Sequence, residues 1–239
     1  MTAWPDLTGG ALLLVPVGSY EQHGPHLPLD TDAAIATAIA TEVARRVASA
    51  LAGTTTVHVG PSIAYGASGE HQDFPGTLSV GTDALRGMLI ELVRSASTWA
   101  ARTVFVNGHG GNLTALRLAV GQLRAEGHDV GWAACVVPGG DAHAGHVETS
   151  VMLCLAPDRV DLTRAQVGNR EPLERLMPML VAQGVRAVAP NGVLGDPVGA
   201  TAEAGADLLA AMVEDVLARV RHGQPDAEGH LRLKPARRG

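Results

Sequence analysis

The amino-acid sequence predicts an α/β fold, a mostly parallel central sheet covered by helices on both faces. Three observations carry that expectation. Short apolar runs alternate along the chain with stretches whose apolar residues recur every three or four positions, so strand follows helix. The 239 residues are 46% hydrophobic and 18% charged, a composition that fills a core and excludes disorder of the body. The length suits one α/β domain, and neither an internal repeat nor a low-complexity linker divides it.

Ala11–Gly18 (ALLLVPVG) is a continuous apolar run closed by glycine, as a buried central strand requires. A loop rich in His, Gly and Pro follows, Ser19–Leu29. Asp30 or Thr31 caps a helix to about Leu51, with Ile35, Ile39, Val43 and Val47 as its inward stripe. Thr54–Ile63 reads as a second strand and Tyr65–Leu78 as a polar, glycine-rich loop. Asp83–Ala100 is helical, with Leu85, Leu89, Leu92 and Val93 inward. Thr103–Asn107 is a strand, Gly108–Gly111 a turn, Leu113–Glu126 a helix with Asn112 as its candidate cap, and Asp129–Val137 a strand. Beyond the Gly139–Gly145 loop the pattern loosens. His146–Leu155 fits one short helix, and Ala202–Arg221 is amphipathic through Leu208, Leu209, Met212, Val213, Val216 and Val220. His222–Gly239 is polar and holds Pro225 and Pro235. The expected organisation is one domain over residues 1–221 and a mobile polar tail over 222–239.

Composition narrows the function. Aromatic residues are only 3% of the chain while glycine numbers 29, so the core must fill with small and aliphatic side chains. A net charge of −6 provides no basic face to displace counterions, which argues against nucleic acid as a partner. Cys135 and Cys154 form no CxxC pair, so neither a disulfide framework nor a thiolate zinc site is expected. No apolar run reaches the ~18 residues of a membrane span. The segment MTAWPDLTGG lacks the charge and apolar run of an export signal, so the expected location is the cytoplasm with no membrane partner.

In a parallel sheet, sites gather at the loops beyond the carboxyl ends of the strands. The unusual residues of this chain fall in those loops. The first strand feeds Glu21, His23, Asp30 and Asp32; the third feeds Asn107, His109 and Asn112 with Gly108, Gly110 and Gly111; the fourth feeds Asp141, His143, His146 and Glu148. Imidazole plus carboxylate without sulfur is the donor set of a nitrogen- and oxygen-ligated metal site. Each residue also has a plainer reading. Asp32 and Glu148 could be acids at helix N-termini, His109 a turn histidine bonded to backbone, and Glu70 and His71 either pocket lining or internal hydrogen-bonding groups of their loop. His58, His128, His222 and His230 have no carboxylate cluster beside them.

Four segments, PVGSYEQHGPHLPLDTD, GASGEHQDFPGT, VNGHGGN and DAHAGHVETS, resemble in order the signature segments of the creatininase family of metal-dependent amidohydrolases. The resemblance runs from about Leu12 to Val220. Ala189–Thr201 (APNGVLGDPVGAT) is similar to one subgroup, the peptidases of mycofactocin biosynthesis.

The resemblance implies a three-layer α/β/α sandwich, a site for two divalent ions (zinc, iron or manganese), and a homo-oligomer such as a hexamer. It makes Glu21, His23, Asp32, His109 and Glu148 the metal ligands, with Asp32 bridging, and His143 the catalytic histidine. Glu70, His71, Gly110 and Gly111 fall on the substrate side. It also implies hydrolysis of an amide bond near the C-terminus of a modified ribosomal precursor peptide by a metal-activated hydroxide. Creatinine-cleaving members carry Glu where this chain has Gly111; the missing side chain is expected to leave room for a bulkier substrate. Two alternatives stand beside this reading. One is a cyclic amide or formamide hydrolase acting on a small molecule. The other is a non-catalytic nucleotide-binding module using the glycine-rich turn at His109, although that turn has neither a GxGxxG pattern nor a P-loop lysine.

Overall fold

The computed structural model describes residues 3–7, 9–50 and 56–234. β1 (Ala11–Val17) pairs in parallel with β2 (Val57–Val59) on one side and β3 (Ala100–Asn107) on the other. β3 pairs in parallel with β4 (Val130–Ala134), giving the order β2-β1-β3-β4. Every residue of β1 is buried, as its unbroken apolar run requires. Alternation along the strands separates two cores. Leu12, Leu14, Val104 and Val106 pack beneath α1 (Thr31–Ala50), α4 (His146–Leu155) and α7 (Ala202–His222), through Ile35, Ile39, Val43, Met152, Met212 and Val216. Leu13, Val15, Val17 and Phe105 pack beneath α2 (Gly81–Ala96) and α3 (Leu113–Ala125), through Leu85, Leu89, Val93, Leu116 and Leu123. The molecule is the three-layer α/β/α arrangement.

Several boundaries move for identifiable reasons. β2 spans three residues because Gly60 and Pro61 come directly after it and proline has no N–H for the ladder. The pairing resumes at one point, where Ile63 N donates to Pro16 O (2.9 Å). Of the expected strand, Thr54 and Thr55 lie outside the described residues, as does Leu51 at the expected end of α1. Ala100, expected to end a helix, instead opens β3: α2 stops at Ala96 and the chain turns through 97–99. A register shift between Ala11 and Leu12 admits the extra residue, and the exposure of Ala101 removes the alternation that marks a strand.

Four elements have no counterpart in the sequence expectation. α5 (Leu173–Gln183) and α6 (Val185–Val188) form a small third core with Leu176, Leu180, Val185, Ala189 and Leu194. Beyond α7, β5 (Gln224–Pro225) and β6 (Leu231–Arg232) make an antiparallel hairpin. The expectation of a mobile tail from His222 is therefore corrected over 223–234. Leu231 is only 1% exposed, and the His230 ring stacks on Trp132 at 4.2 Å between centroids. One buried leucine in a short polar run is too little to announce a strand. Residues 235–239 lie outside the described part. Cys135 and Cys154 are free.

Candidate metal centre

The carboxyl ends of β1, β3 and β4 deliver their loops to one place. The first turn of α1 sits directly on the ends of two strands. A Cβ on Gly18, after β1, would lie 2.4 Å from the Ala33 nitrogen, and one on Gly108, after β3, would lie 2.6 Å from the Asp32 carbonyl. Only glycine lets the helix approach this closely, which sets the Asp32 side chain between the two loops.

Glu21, His23, Asp32, His71, His109 and His143 are all buried there, and Glu148 is partly buried. Asp32 faces both ways: Oδ1 lies 2.9 Å from His23 Nε2, Oδ2 lies 3.2 Å from His109 Nδ1, and Ser19 Oγ donates to Oδ2 at 2.9 Å. Glu21 Oε1 is 3.3 Å from His109 Nδ1 and 3.3 Å from His71 Nε2. Glu148 Oε2 lies 3.9 Å from His23 Nε2 and accepts a 2.6 Å hydrogen bond from Ala144 N. Ala144 holds a left-handed φ of 52°, a strained conformation for a residue with a Cβ, and so aims its N–H at that carboxylate.

Ligand atoms fall within 4.8 Å of one another in three overlapping trios: Glu21–Asp32–His109, His23–His143–Glu148 and Glu21–His71–His143. Both oxygens of Glu21 are buried without a hydrogen-bond partner. An ionised carboxylate so placed is costly unless a cation satisfies it. The donor set and this orphaned group fit divalent metal.

Burial opposes charge on His23, but Asp32 and the neighbouring Glu148 and Glu21 outweigh it and push the ring up to about 10. Burial acts the same way on His109, where Glu21 and Asp32 prevail and hold it well above its ordinary value. Asp32 is held well below the carboxylate range by the His23 and His109 rings, against its burial. Burial pushes Glu148 up to about 7. Burial, reinforced by His23, drives His143 well below its ordinary value, so it is neutral.

Gln22, to which the sequence reading gave no role, fixes two of these rings. Its Oε1 accepts from Gly24 N (2.9 Å), so its amide nitrogen is the end that meets Gly192 O (3.0 Å) and His71 Nδ1 (2.9 Å). His71 therefore accepts at Nδ1 and carries its hydrogen on Nε2, toward Glu21. His143 Nε2 lies 2.9 Å from the Gln22 carbonyl and donates to it, which leaves Nδ1 unprotonated toward Glu21 and Glu148 at 3.8 and 4.0 Å.

Other candidates fall elsewhere. Asn112 makes no side-chain cap; it clamps loops through Gly18 O (2.9 Å), Asn107 Oδ1 (3.2 Å) and Ala67 N (2.8 Å). Asp141 accepts from His146 N and Val147 N and so caps α4, and Asp30 pairs with Arg159 at the surface. Gly110 faces open space, but Gly111 does not. A Cβ there would meet Ala67 O, Glu70 Oε1 and His109 Nε2, each at 2.4 Å. The expectation of free room at Gly111 is thus corrected: the Glu70 carboxylate fills it.

Buried acid and imidazole groups gathered at the carboxyl edge of a parallel α/β/α sheet form a centre suited to divalent metal. The creatininase model, described as creatinine amidohydrolase, matches residues 2–220, and the chain belongs to that family. It is 54% identical over 234 residues to the mycofactocin precursor peptide peptidase of Mycobacterium ulcerans (strain Agy99), covering 96% of this chain and 90% of that one. It is 30% identical over 247 residues to the creatinine amidohydrolase of Pseudomonas putida, 91% of each. Among solved structures, "Creatininase Mn" superposes with a TM-score of 0.68 at 28% identity, over 89% of this chain and 91% of that one.

Proposed function

We propose that the chain is a metal-dependent peptidase that cleaves an amide bond near the C-terminus of a modified ribosomal precursor peptide in mycofactocin biosynthesis. The 54% identity to a mycofactocin precursor peptide peptidase supports the substrate. The chemistry is carried by one observation: Asp32 presents one oxygen to His23 and the other to His109, as a carboxylate shared by two cations does. In this reading Glu21, Asp32 and His109 hold one divalent ion, and His23, Asp32 and Glu148 hold a second. The three carboxylates balance most of the charge of two such ions.

Ions held there supply the positive charge that polarises the scissile carbonyl and lowers the pKa of water. The chain supplies the rest. His143, neutral and open at Nδ1, takes the proton of the attacking water and returns it to the leaving amine. Gln22 keeps that nitrogen free by holding Nε2–H on its own carbonyl. His71 turns its Nε2 toward Glu21 Oε1 at 3.3 Å. The open face of Gly110 admits the peptide backbone.

The chain also self-associates in this reading. Leu173, Met177 and Val181 are exposed at i, i+4 and i+8 on α5, an apolar row suited to a second copy. Among the described residues, no helix is long and apolar enough to cross a membrane.

Two measurements test the reading. Protein loaded with metal is given the modified peptide, the unmodified peptide and creatinine, and products are read by mass spectrometry. Release of a small C-terminal fragment from the modified peptide alone is the expected result; efficient turnover of creatinine with the modified peptide untouched restores the small-molecule alternative. In the second, metal must displace the proton that Asp32 and Glu148 hold on His23. The apparent affinity for zinc is expected to fall as the pH drops from about 9 to about 6, with protons released on binding. Calorimetry in buffers of different ionisation heat counts them, and a pH-independent affinity contradicts the ligand set.

A further inference from the structure

We propose that Glu70 is the positioning residue for His109: its carboxylate stands 3.4 Å behind the Nε2 of the ring whose Nδ1 faces the proposed metal, beside the Ala67 carbonyl that accepts the Nε2–H, and Gly111 is the residue that admits it. The inference rests on the ligand set proposed above and changes the part expected of Glu70, from substrate contact to support of a ligand.

The two ring nitrogens of His109 have different surroundings. Nδ1 lies 3.3 Å from Glu21 Oε1 and 3.2 Å from Asp32 Oδ2, on the side of the proposed ligands. Nε2 lies 3.4 Å from Glu70 Oε1 and 3.4 Å from the Ala67 carbonyl. Both neighbours of Nε2 can only accept, so that nitrogen keeps its hydrogen whether or not Nδ1 is ligated. A carboxylate behind a ligating imidazole fixes the ring's orientation and raises its basicity.

Glu70 comes from a different loop, the 3-10 turn Gly69–His71. Its side chain is 31% exposed, so water is within reach, yet it turns to the ring. Geometry makes the place exclusive. A Cβ on Gly111 would stand 2.4 Å from Glu70 Oε1 and 2.4 Å from His109 Nε2, inside the contact it would replace. Glycine at 111 and glutamate at 70 are thus one device divided between two loops.

The loops are fixed in register. Asn112 Oδ1 holds Ala67 N at 2.8 Å while its amide nitrogen reaches Gly18 O, tying the Glu70 loop to the ends of β1 and β3. Behind Glu70, Gly184 lets the α5–α6 elbow lie against its carbonyl; a Cβ there would come within 2.9 Å.

The test compares the wild type with Glu70→Gln, Glu70→Ala and His109→Asn. Each is titrated with zinc against a chelator, the melting temperature of the metal-free form is measured, and kcat and KM are determined. Glu70→Gln and Glu70→Ala are expected to weaken one of two bound ions by about 10–100-fold, Ala more than Gln, with the second ion and the metal-free melting temperature unchanged. Wild-type affinity for both ions in the two Glu70 variants, together with a raised KM, overturns the proposal and returns Glu70 to the substrate. A lowered metal-free melting temperature with unchanged ion affinity also overturns it, as a purely structural role. If the ligand set itself is wrong, His109→Asn binds zinc like the wild type, which separates that failure from this one. Glu70→Gln preserves shape and decides the matter where Glu70→Ala does not fold.

Discussion

Asp32→Ala is expected to leave the protein with neither of the two proposed ions bound at stoichiometric metal and with no measurable hydrolysis. The size of the effect comes from the two directions in which this carboxylate faces. A four-ligand zinc site is worth about 10–16 kcal/mol, so one ligand contributes about 3 kcal/mol, or roughly a hundredfold in affinity. Asp32 is proposed to serve both positions and loses that factor twice, together with a negative charge that offsets two cations. Removal also leaves His23 and His109 without the partner at 2.9 and 3.2 Å that sets their rings. His23→Ala is the control, since it weakens mainly one position. Elemental analysis decides: one ion retained at wild-type affinity in Asp32→Ala would falsify the bridging assignment.

His143→Ala gives the opposite combination, with the ions kept and turnover reduced by roughly 10²–10⁴-fold, the range for loss of a general acid–base. Its Nε2 is committed to the Gln22 carbonyl, while its Nδ1 faces Glu21 and Glu148 at 3.8 and 4.0 Å, within reach of either a proton transfer or a shared ion, and this variant decides between the two. Metal content and turnover measured on one preparation separate the roles. Metal lost together with activity would make His143 a ligand. Glu148→Gln is expected to behave in that way, losing metal first and activity in consequence.

How far the sequence reached depended on the signal each part carries. Strands with unbroken apolar runs and helices with a full inward stripe were legible to within a few residues, and His146–Leu155 coincides with α4. The acids and imidazoles beyond the strand ends were legible as a group because parallel topology brings such loops together. Three things were not. α5 buries only Leu176 and Leu180 and has Pro178 inside it, so its period is faint. Gln22 carries no charge and no period, and its role exists only where Gly24, Gly192 and two rings converge on one residue. Glu70 reads as pocket lining until its distance to His109 is known, because the space that receives it belongs to a glycine 41 positions away in the chain.

The C-terminal hairpin has a consequence for how the chain survives its own synthesis. β4 is the outer strand of the sheet, and its free side offers unpaired amides to any passing strand. Here Trp132 N donates to Gly229 O at 3.0 Å, its indole N–H donates to Glu228 O at 2.9 Å, and His230 closes over the ring. The hairpin, made after every strand of the sheet, is thus the cover for an edge that has been open since β4 formed. A truncation at residue 222, tempting because the segment beyond it is polar, would leave the proposed ligands in place and strip that cover. The damage would appear as sticking between molecules rather than as lost chemistry, and solubility would report it before any assay of hydrolysis did.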